Sequence, residues 1–363
     1  MHSLLPALLR QEGHVLASGV SGNVLAVCCD QPQFCLLVPD KRNDFSSFCA
    51  GSDMSLNAYW AYGLRIHTDL VCPELPLHPQ PDGEPDVTIR LLSPVSSAPE
   101  SLENGYYEVR PGAFRMTIVG VGRYFVEDGN RISIEPVAGS SPGEVRLFLL
   151  GSAMGALLYQ RGLLPLHGSA VETQWGAMIF AGAPGAGKST LAAQFHRRGY
   201  RVLSDDVCAV ASAPGGLQIF PALAQFRLCA DAYDRLGATQ EARFNVDKFV
   251  VPMNEGYCPY PTPLKAIHIL ADQEGGDPEF EVLRGFDRVQ RLFENLYRPQ
   301  FLKGQITQGD LMRLAGLIAQ KTTIAQVSRS RDPQALDKLV DFLEAAWEER
   351  FGASAVCKCH SGD

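Results

Sequence analysis

The segment Gly182-Ala183-Pro184-Gly185-Ala186-Gly187-Lys188-Ser189 fits the pattern G-x-x-x-x-G-K-[ST], between an apolar run at 177–180 and a helical run that opens at Lys188. Its chemistry follows from the residue types. Glycines let backbone N–H groups converge on phosphate oxygens, a helix N-terminus adds partial positive charge, and the lysine reaches the β and γ oxygens of a nucleotide. An ATP site is therefore predicted from Gly182, Ala183, Pro184, Gly185, Ala186, Gly187, Lys188, Ser189 and the adjoining Thr190, with the Ser189 hydroxyl as a ligand of Mg²⁺. Downstream, Arg201-Val-Leu-Ser-Asp205-Asp206 reads as a strand ending in two carboxylates, suited to supply a metal ligand and a base at the sheet edge. The competing reading is a polar strand end or a helix cap, since Asp is common in loops. Upstream, His167 in Leu166-His167-Gly168-Ser169-Ala170 reads on its own as a structural hydrogen-bonding residue.

Elements must hold these groups together. From residue 163 onward strand and helix signals alternate: apolar runs at 177–180, 201–203, 208–211 and 264–270, a helix from Lys188, and later helices at 310–320 and 332–349. That alternation predicts α/β organisation around a core sheet. The last helix is expected to start with Asp332 as N-cap and Pro333 at the first helical position, burying Leu336, Leu339, Val340, Leu343 and Trp347. Between residues 59 and 136 the pattern is short strands with turns, as in Phe114, Met116 and Ile118, with Asp128-Gly129-Asn130 as a turn. Val145, Phe148, Leu149, Ala153, Ala156 and Leu157 recur at helical spacing, which predicts a connecting helix of roughly 18 residues. Residues 1–53 show no clear period, and Met54 opens a stretch that reads like a natural start. The expected organisation is a poorly patterned extension at 1–53, a small β-rich domain at 54–140, a larger α/β domain at 141–351 and a flexible tail at 352–363.

Composition removes several classes. With 363 residues, 46% hydrophobic and 20% charged, the chain can bury a sizeable core. Forty acidic residues against 32 basic give a net charge of −8, so no net positive field draws nucleic acid or anionic lipid. No apolar stretch is long enough to span a bilayer, and the N-terminal apolar run ends at Arg10-Gln11-Glu12 before a signal core has formed. A cytoplasmic protein with its ten cysteines reduced is expected. Cys357, Cys359 and His360 offer three soft ligands near the C-terminus, one short of a structural zinc site.

Three pieces together, His167-Gly168, the loop 182–189 and Arg198-Gly-Tyr-Arg-Val-Leu-Ser-Asp-Asp206, resemble the HPr kinase/phosphatase family, bacterial enzymes that phosphorylate a serine of a sugar-transport phosphocarrier protein. The resemblance implies an α/β P-loop kinase core like the HPr kinase C-terminal domain, related to the PEP carboxykinase nucleotide-binding fold, here preceded by a small β-rich domain. It implies an active site of His167, Lys188 and Asp206, with Asp206 as proton acceptor; the reading of the residues themselves then leaves Asp205 to position Mg²⁺ with Ser189, directly or through water. The family's glutamate-isoleucine-arginine-glycine signature has its nearest counterpart in Gln225-Phe226-Arg227-Leu228, which keeps the arginine, so Arg227 joins the catalytic set, and replaces the carboxylate by an amide. A later basic residue of the family corresponds to Arg243 or Lys248. Tyr62-Gly63-Leu64 and the β-rich part also look like stand-alone HPr-kinase-like proteins, including the lasso-peptide precursor kinases. The expected function is that of an ATP- and Mg²⁺-dependent serine kinase acting on a protein or peptide, with a homo-oligomeric state implied by the family. Alternatives are a phosphocarrier kinase, a nucleotide-gated binding protein without transfer chemistry, and a small-molecule kinase.

Overall fold

The computed structural model describes residues 24–28, 35–39, 56–80, 82–97, 106–235, 243–245, 248–253 and 255–352. Apart from one paired strand ladder, β1 (Val24–Cys28) and β2 (Cys35–Pro39), the expected extension lies outside the described residues, as do Cys357, Cys359 and His360.

Alternation governs the first large sheet. Its strands are β3 (Asn57–Ala61), β4 (Leu64–Thr68), β5 (Val87–Leu91), β6 (Tyr107–Arg110), β7 (Ala113–Ile118), β8 (Gly122–Glu127) and β9 (Arg131–Pro136), in the order β3-β4-β5-β9-β8-β7-β6. Every second residue of β4, β8 and β9 is buried, the mark of a sheet with one covered face. Two tight turns use positive φ: Asp128-Gly129 between β8 and β9, and Tyr62-Gly63 between β3 and β4. The second turn reaches the other half of the molecule. There the Tyr62 N–H donates to Pro221 O at 2.7 Å, and Gly63 lies against the Phe220 ring so closely that a Cβ would collide with it.

Residues 142–160 cover this sheet. Ser141 and Glu144 form a reciprocal capping box at the start of α1 (Pro142–Phe148), with Pro142 in its first turn. The expected continuous helix is instead α1, a π-helical segment (Leu149–Ala153) and α2 (Met154–Gln160). The interruption falls where Gly151 and Gly155 face Tyr297; a Cβ at Gly155 would come within 2.9 Å of that ring. One apolar cluster joins Ile66, Ile89, Met116, Tyr124 and Ile132 of the sheet to Leu149, Ala153 and Leu157. The same cluster takes in Val207, Ala222, Leu223, Tyr297 and Phe301 from the second half of the chain.

The second half is mixed α/β with two further sheets. Its large sheet comprises β10 (Leu164–Thr173), β11 (Gly176–Gly182), β12 (Arg201–Ser204), β13 (Val207–Ala213), β14 (Gly216–Phe220), β18 (Thr262–Asp272), β19 (Glu279–Val282) and β20 (Thr323–Arg329). The strands run in the order β11-β10-β13-β14-β18-β20-β19, β12 joins at β10, and β11 also pairs with β18 in parallel. A small sheet, β15 (Gln225–Leu228), β16 (Arg243–Asn245) and β17 (Lys248–Pro252), is ordered β15-β17-β16. The helices are α3 (Lys188–Arg197), α4 (Ala230–Arg235), α5 (Asp287–Glu294), α6 (Gln308–Lys321) and α7 (Leu336–Phe351). Strand β11 shows why helices cover both faces. Met178 and Phe180 point into a cluster with Leu191 and Phe195 of α3 and Leu343 and Trp347 of α7, whereas Ile179 and Ala181 join Leu292 of α5 and Ile318 of α6. The expected cap at Asp332 accepts from Gln334 N at 2.9 Å, yet it opens a 3₁₀ turn (Pro333–Ala335), and the α-helix begins only at Leu336. Among the described residues no helix is long and apolar enough to cross a membrane.

Candidate functional site

Strand β11 ends at Gly182, and helix α3 begins at Lys188, so the motif occupies a strand-to-helix turn. Gly182, Gly185 and Gly187 all have φ between +78° and +143°, where a side chain would be strained. Residues 183–185 are exposed at the crown, while Lys188 is buried beneath it. The Lys188 Nζ donates to Gly182 O at 2.9 Å and Ala183 O at 3.0 Å. Gly187 caps α3 with no side-chain hydrogen bond to the first turn and no acidic residue in that turn, which leaves its amides directed at the loop. Ser189 and Thr190 follow in the first turn, half-buried.

The second half of the site is built on β12. Asp205 is 3% exposed, its Oδ1 accepts from Ser169 Oγ at 2.6 Å, and its Oδ2 accepts from the Arg227 backbone N–H at 2.8 Å. It thereby ties β10 to β15. Asp206 adopts φ +79°, rare for a residue with a side chain, and is held from two directions. Its Oδ2 lies 3.2 Å from Arg227 Nη1, and its Oδ1 lies 3.4 Å from His167 Nδ1. His167 Nδ1 also sits 3.1 Å from Asp206 O, and Gly168 N donates to that carbonyl at 3.3 Å.

Strand β10 connects the halves. On one edge Gly168 pairs with Ala181, the residue before the loop; on the other, His167 pairs with Val207, the residue after the Asp pair. Two interstrand spacings therefore separate the backbones of the loop and of Asp206, about 10 Å. A polyphosphate is of that length. His167, Lys188, Asp205 and Asp206 thus flank β10 in the large sheet, and Arg227 reaches Asp206 from β15 of the small sheet, whereas Arg243 and Lys248 lie on β16 and β17, and their side chains are outside the described ones.

A cavity of about 50 Å³ opens beside the pair, lined by Asp205, Asp206, Gln225 and Arg227 on one side and by Glu74, Arg146 and Gly151 on the other. Its far wall is an ion pair, with Arg146 Nε at 3.0 Å from both carboxylate oxygens of Glu74. A larger open groove of about 540 Å³ lies at the far end of β10, walled by Glu172, Arg198 and Arg201, away from all of these residues. Tyr62 and Tyr297 are buried close to Asp206, and burial raises both phenols above their ordinary range, so they stay neutral. Burial likewise pushes the Cys208 thiol up, which excludes it as a thiolate nucleophile.

Among the described residues no group of three or more His, Cys, Asp or Glu side chains could hold a metal. A magnesium ion carried on phosphates needs only one or two protein oxygens, and the half-buried Ser189 hydroxyl in the first turn of α3 is an oxygen of that kind. Sequence reasoning missed Ser169, although it lies inside the stretch around His167. It also missed Arg329, whose guanidinium bonds Ala186 O from 143 residues away. No local pattern announces such a contact.

No family model and no curated protein sequence matches the chain. Among solved structures it is similar to the Hpr(Ser) kinase/phosphatase from Coxiella burnetii, at 11% identity over 53% of this chain and 98% of that one, with a TM-score of 0.28. At that score the functional reading stands on the chain's own residues.

Proposed function

We propose that the protein is an ATP-dependent kinase that transfers the γ-phosphate to a serine hydroxyl of a protein or peptide. One observation carries the reading: β10 holds the lysine-bearing glycine loop on one edge and the Asp206, Arg227 and His167 constellation on the other, a polyphosphate's length apart. The loop amides and Lys188 take the β and γ oxygens of ATP. The acceptor oxygen attacks the γ-phosphorus, the bond from that phosphorus to the β–γ bridging oxygen breaks, ADP departs, and the hydroxyl proton passes to the Asp206 carboxylate. Arg227 positions Asp206 and offsets charge on the transferring group. Ser189 and Asp205 would hold Mg²⁺, which would supply charge neutralisation on the phosphates. The same reading carries a cytoplasmic setting, a homo-oligomer and no nucleic-acid or membrane partner.

A second reading, a nucleotide-gated binding protein, is favoured by Gln225, an amide in the cavity wall where a carboxylate would extend the metal site. A third, a small-molecule kinase, shares the donor site. Incubation with γ-labelled ATP, Mg²⁺ and the products of neighbouring genes separates them. Label on a serine supports the first reading, nucleotide binding with neither ADP release nor label supports the second, and label only on a small metabolite the third.

A further inference from the structure

Strands β11, β18 and β20 run parallel, so their C-terminal ends share one edge: Gly182 pairs with Leu270, and Asp272 pairs with Arg329. In open α/β sheets ligands bind outside such ends. Arg329 lies across that edge with its side chain 13% exposed. One guanidinium nitrogen bonds Ala186 O and another bonds Ser330 O at 3.0 Å, which uses only part of its five N–H donors. A Cβ on Gly187 would lie 3.0 Å from the same Nη2, so the guanidinium rests against the residue that opens α3.

The charges around it do not cancel. Asp272 stands 3.7 Å from Arg329 and 2.6 Å from the more exposed Arg331, so one carboxylate serves two guanidinium groups. Burial lowers the affinity of Arg329 for its proton, as it does for a cation incompletely neutralised by its surroundings. The loop is wired to match: Lys188 binds the carbonyls of Gly182 and Ala183, Arg329 binds that of Ala186, and the amides at the start of α3 are left as donors.

We propose that Arg329, anchored by Asp272, is a second cation of the nucleotide-phosphate site, bracing the 182–189 loop through Ala186 and contacting the phosphates alongside Lys188. This rests on the reading of that loop as a nucleotide site. Arg331 sets its strength by sharing Asp272.

The test is calorimetric binding of ATP, ADP and adenosine, with Mg²⁺, to the full chain and to Arg329→Met, Arg329→Lys and Arg331→Met. A lost charge-assisted hydrogen bond corresponds to roughly a tenfold or greater weakening. Arg329→Met should weaken ATP and ADP by at least that factor while adenosine binding holds, and Arg329→Lys should recover part of the loss. Arg331→Met, at an exposed position that leaves the fold intact, should weaken ATP a fewfold by freeing Asp272 to neutralise Arg329. Equal weakening of ATP and adenosine would reduce Arg329 to a structural brace and overturn the proposal. So would wild-type ATP affinity in both methionine variants. Failure of the unaltered chain to bind ATP overturns the nucleotide-site reading itself, whereas loss of ATP binding in Lys188→Met but not in Arg329→Met overturns this inference alone.

Discussion

Replacing Asp205 by asparagine removes one charge from the carboxylate pair and leaves its shape unchanged. The native oxygens accept from Ser169 Oγ at 2.6 Å and from the Arg227 N–H at 2.8 Å. In the asparagine the remaining carbonyl can keep the Arg227 N–H, and the new NH₂ faces a serine hydroxyl that accepts as readily as it donates. No buried polar group is orphaned, so the cost is the difference between charge-assisted and neutral hydrogen bonds, about 1–2 kcal/mol. Asp205→Ala differs. At 3% exposure it strands both donors, at about 1–3 kcal/mol each, or roughly 2–6 kcal/mol together. Urea denaturation measures that contrast, and a Mg²⁺ titration of single-turnover transfer measures the charge. The asparagine variant should fold with a loss of no more than about 1–2 kcal/mol and need roughly tenfold or more Mg²⁺ for half-maximal rate. Equal destabilisation by Asn and Ala would refute the hydrogen-bond reasoning, and an unchanged Mg²⁺ requirement would remove Asp205 from the metal.

Asp206→Asn, which keeps an αL-tolerant residue at φ +79°, should lower single-turnover transfer by about 100-fold or more with ATP affinity retained; transfer at the wild-type rate would mean that Asp206 is not the base. Lys188→Met should abolish transfer while far-ultraviolet circular dichroism stays native, and turnover at saturating ATP would sink the loop assignment. His268 is fully buried, accepts from Trp347 Nε1 at 3.1 Å, and is pushed by desolvation down to about 4 from 6.5. Because the unfolded chain takes up that proton first, the stability it provides is complete above pH 6.5 and is lost as pH falls toward 4. The total is about 3 kcal/mol. Urea unfolding at pH 7.5 and 4.5 should show this loss, and His268→Gln should flatten it; an equal loss in the glutamine variant would assign the effect elsewhere.

What the sequence made legible is what lies close together along it. The glycine loop and the Asp pair are each contiguous, so their places at strand ends could be expected without a fold, and the alternation of Phe114, Met116 and Ile118 announced β7 of the first sheet. Strand β10, which joins the two halves of the site, carried no such signal because it is buried on both faces, and His167-Gly168-Ser169 interrupts its apolar run. The π-helical segment at Leu149–Ala153 lies where Gly151 meets Tyr297, and the cavity wall depends on Glu74 meeting Arg146 across 72 residues. Arg329 belongs with these. Each is a consequence of topology, which no window of neighbouring residues contains.

The Tyr62-Gly63 turn has a bearing on how the molecule comes apart. It docks on Phe220 and Pro221, and the apolar cluster beneath it is shared by β4, β8, α2 and Tyr297. Opening the seam would expose this shared cluster to water, and the first sheet has no other core to retreat into, whereas the second half keeps its own clusters on both faces of β11. Native-state hydrogen exchange should accordingly find the slowest amides of β8 released at or below the free energy that frees those of β11, which the second half's own clusters protect. The cavity beside Asp206 lies on that seam, lined from both halves. A loosening of the seam by a distant substitution in the first sheet would then reach the Asp205–Asp206 side of the site without touching the 182–189 loop.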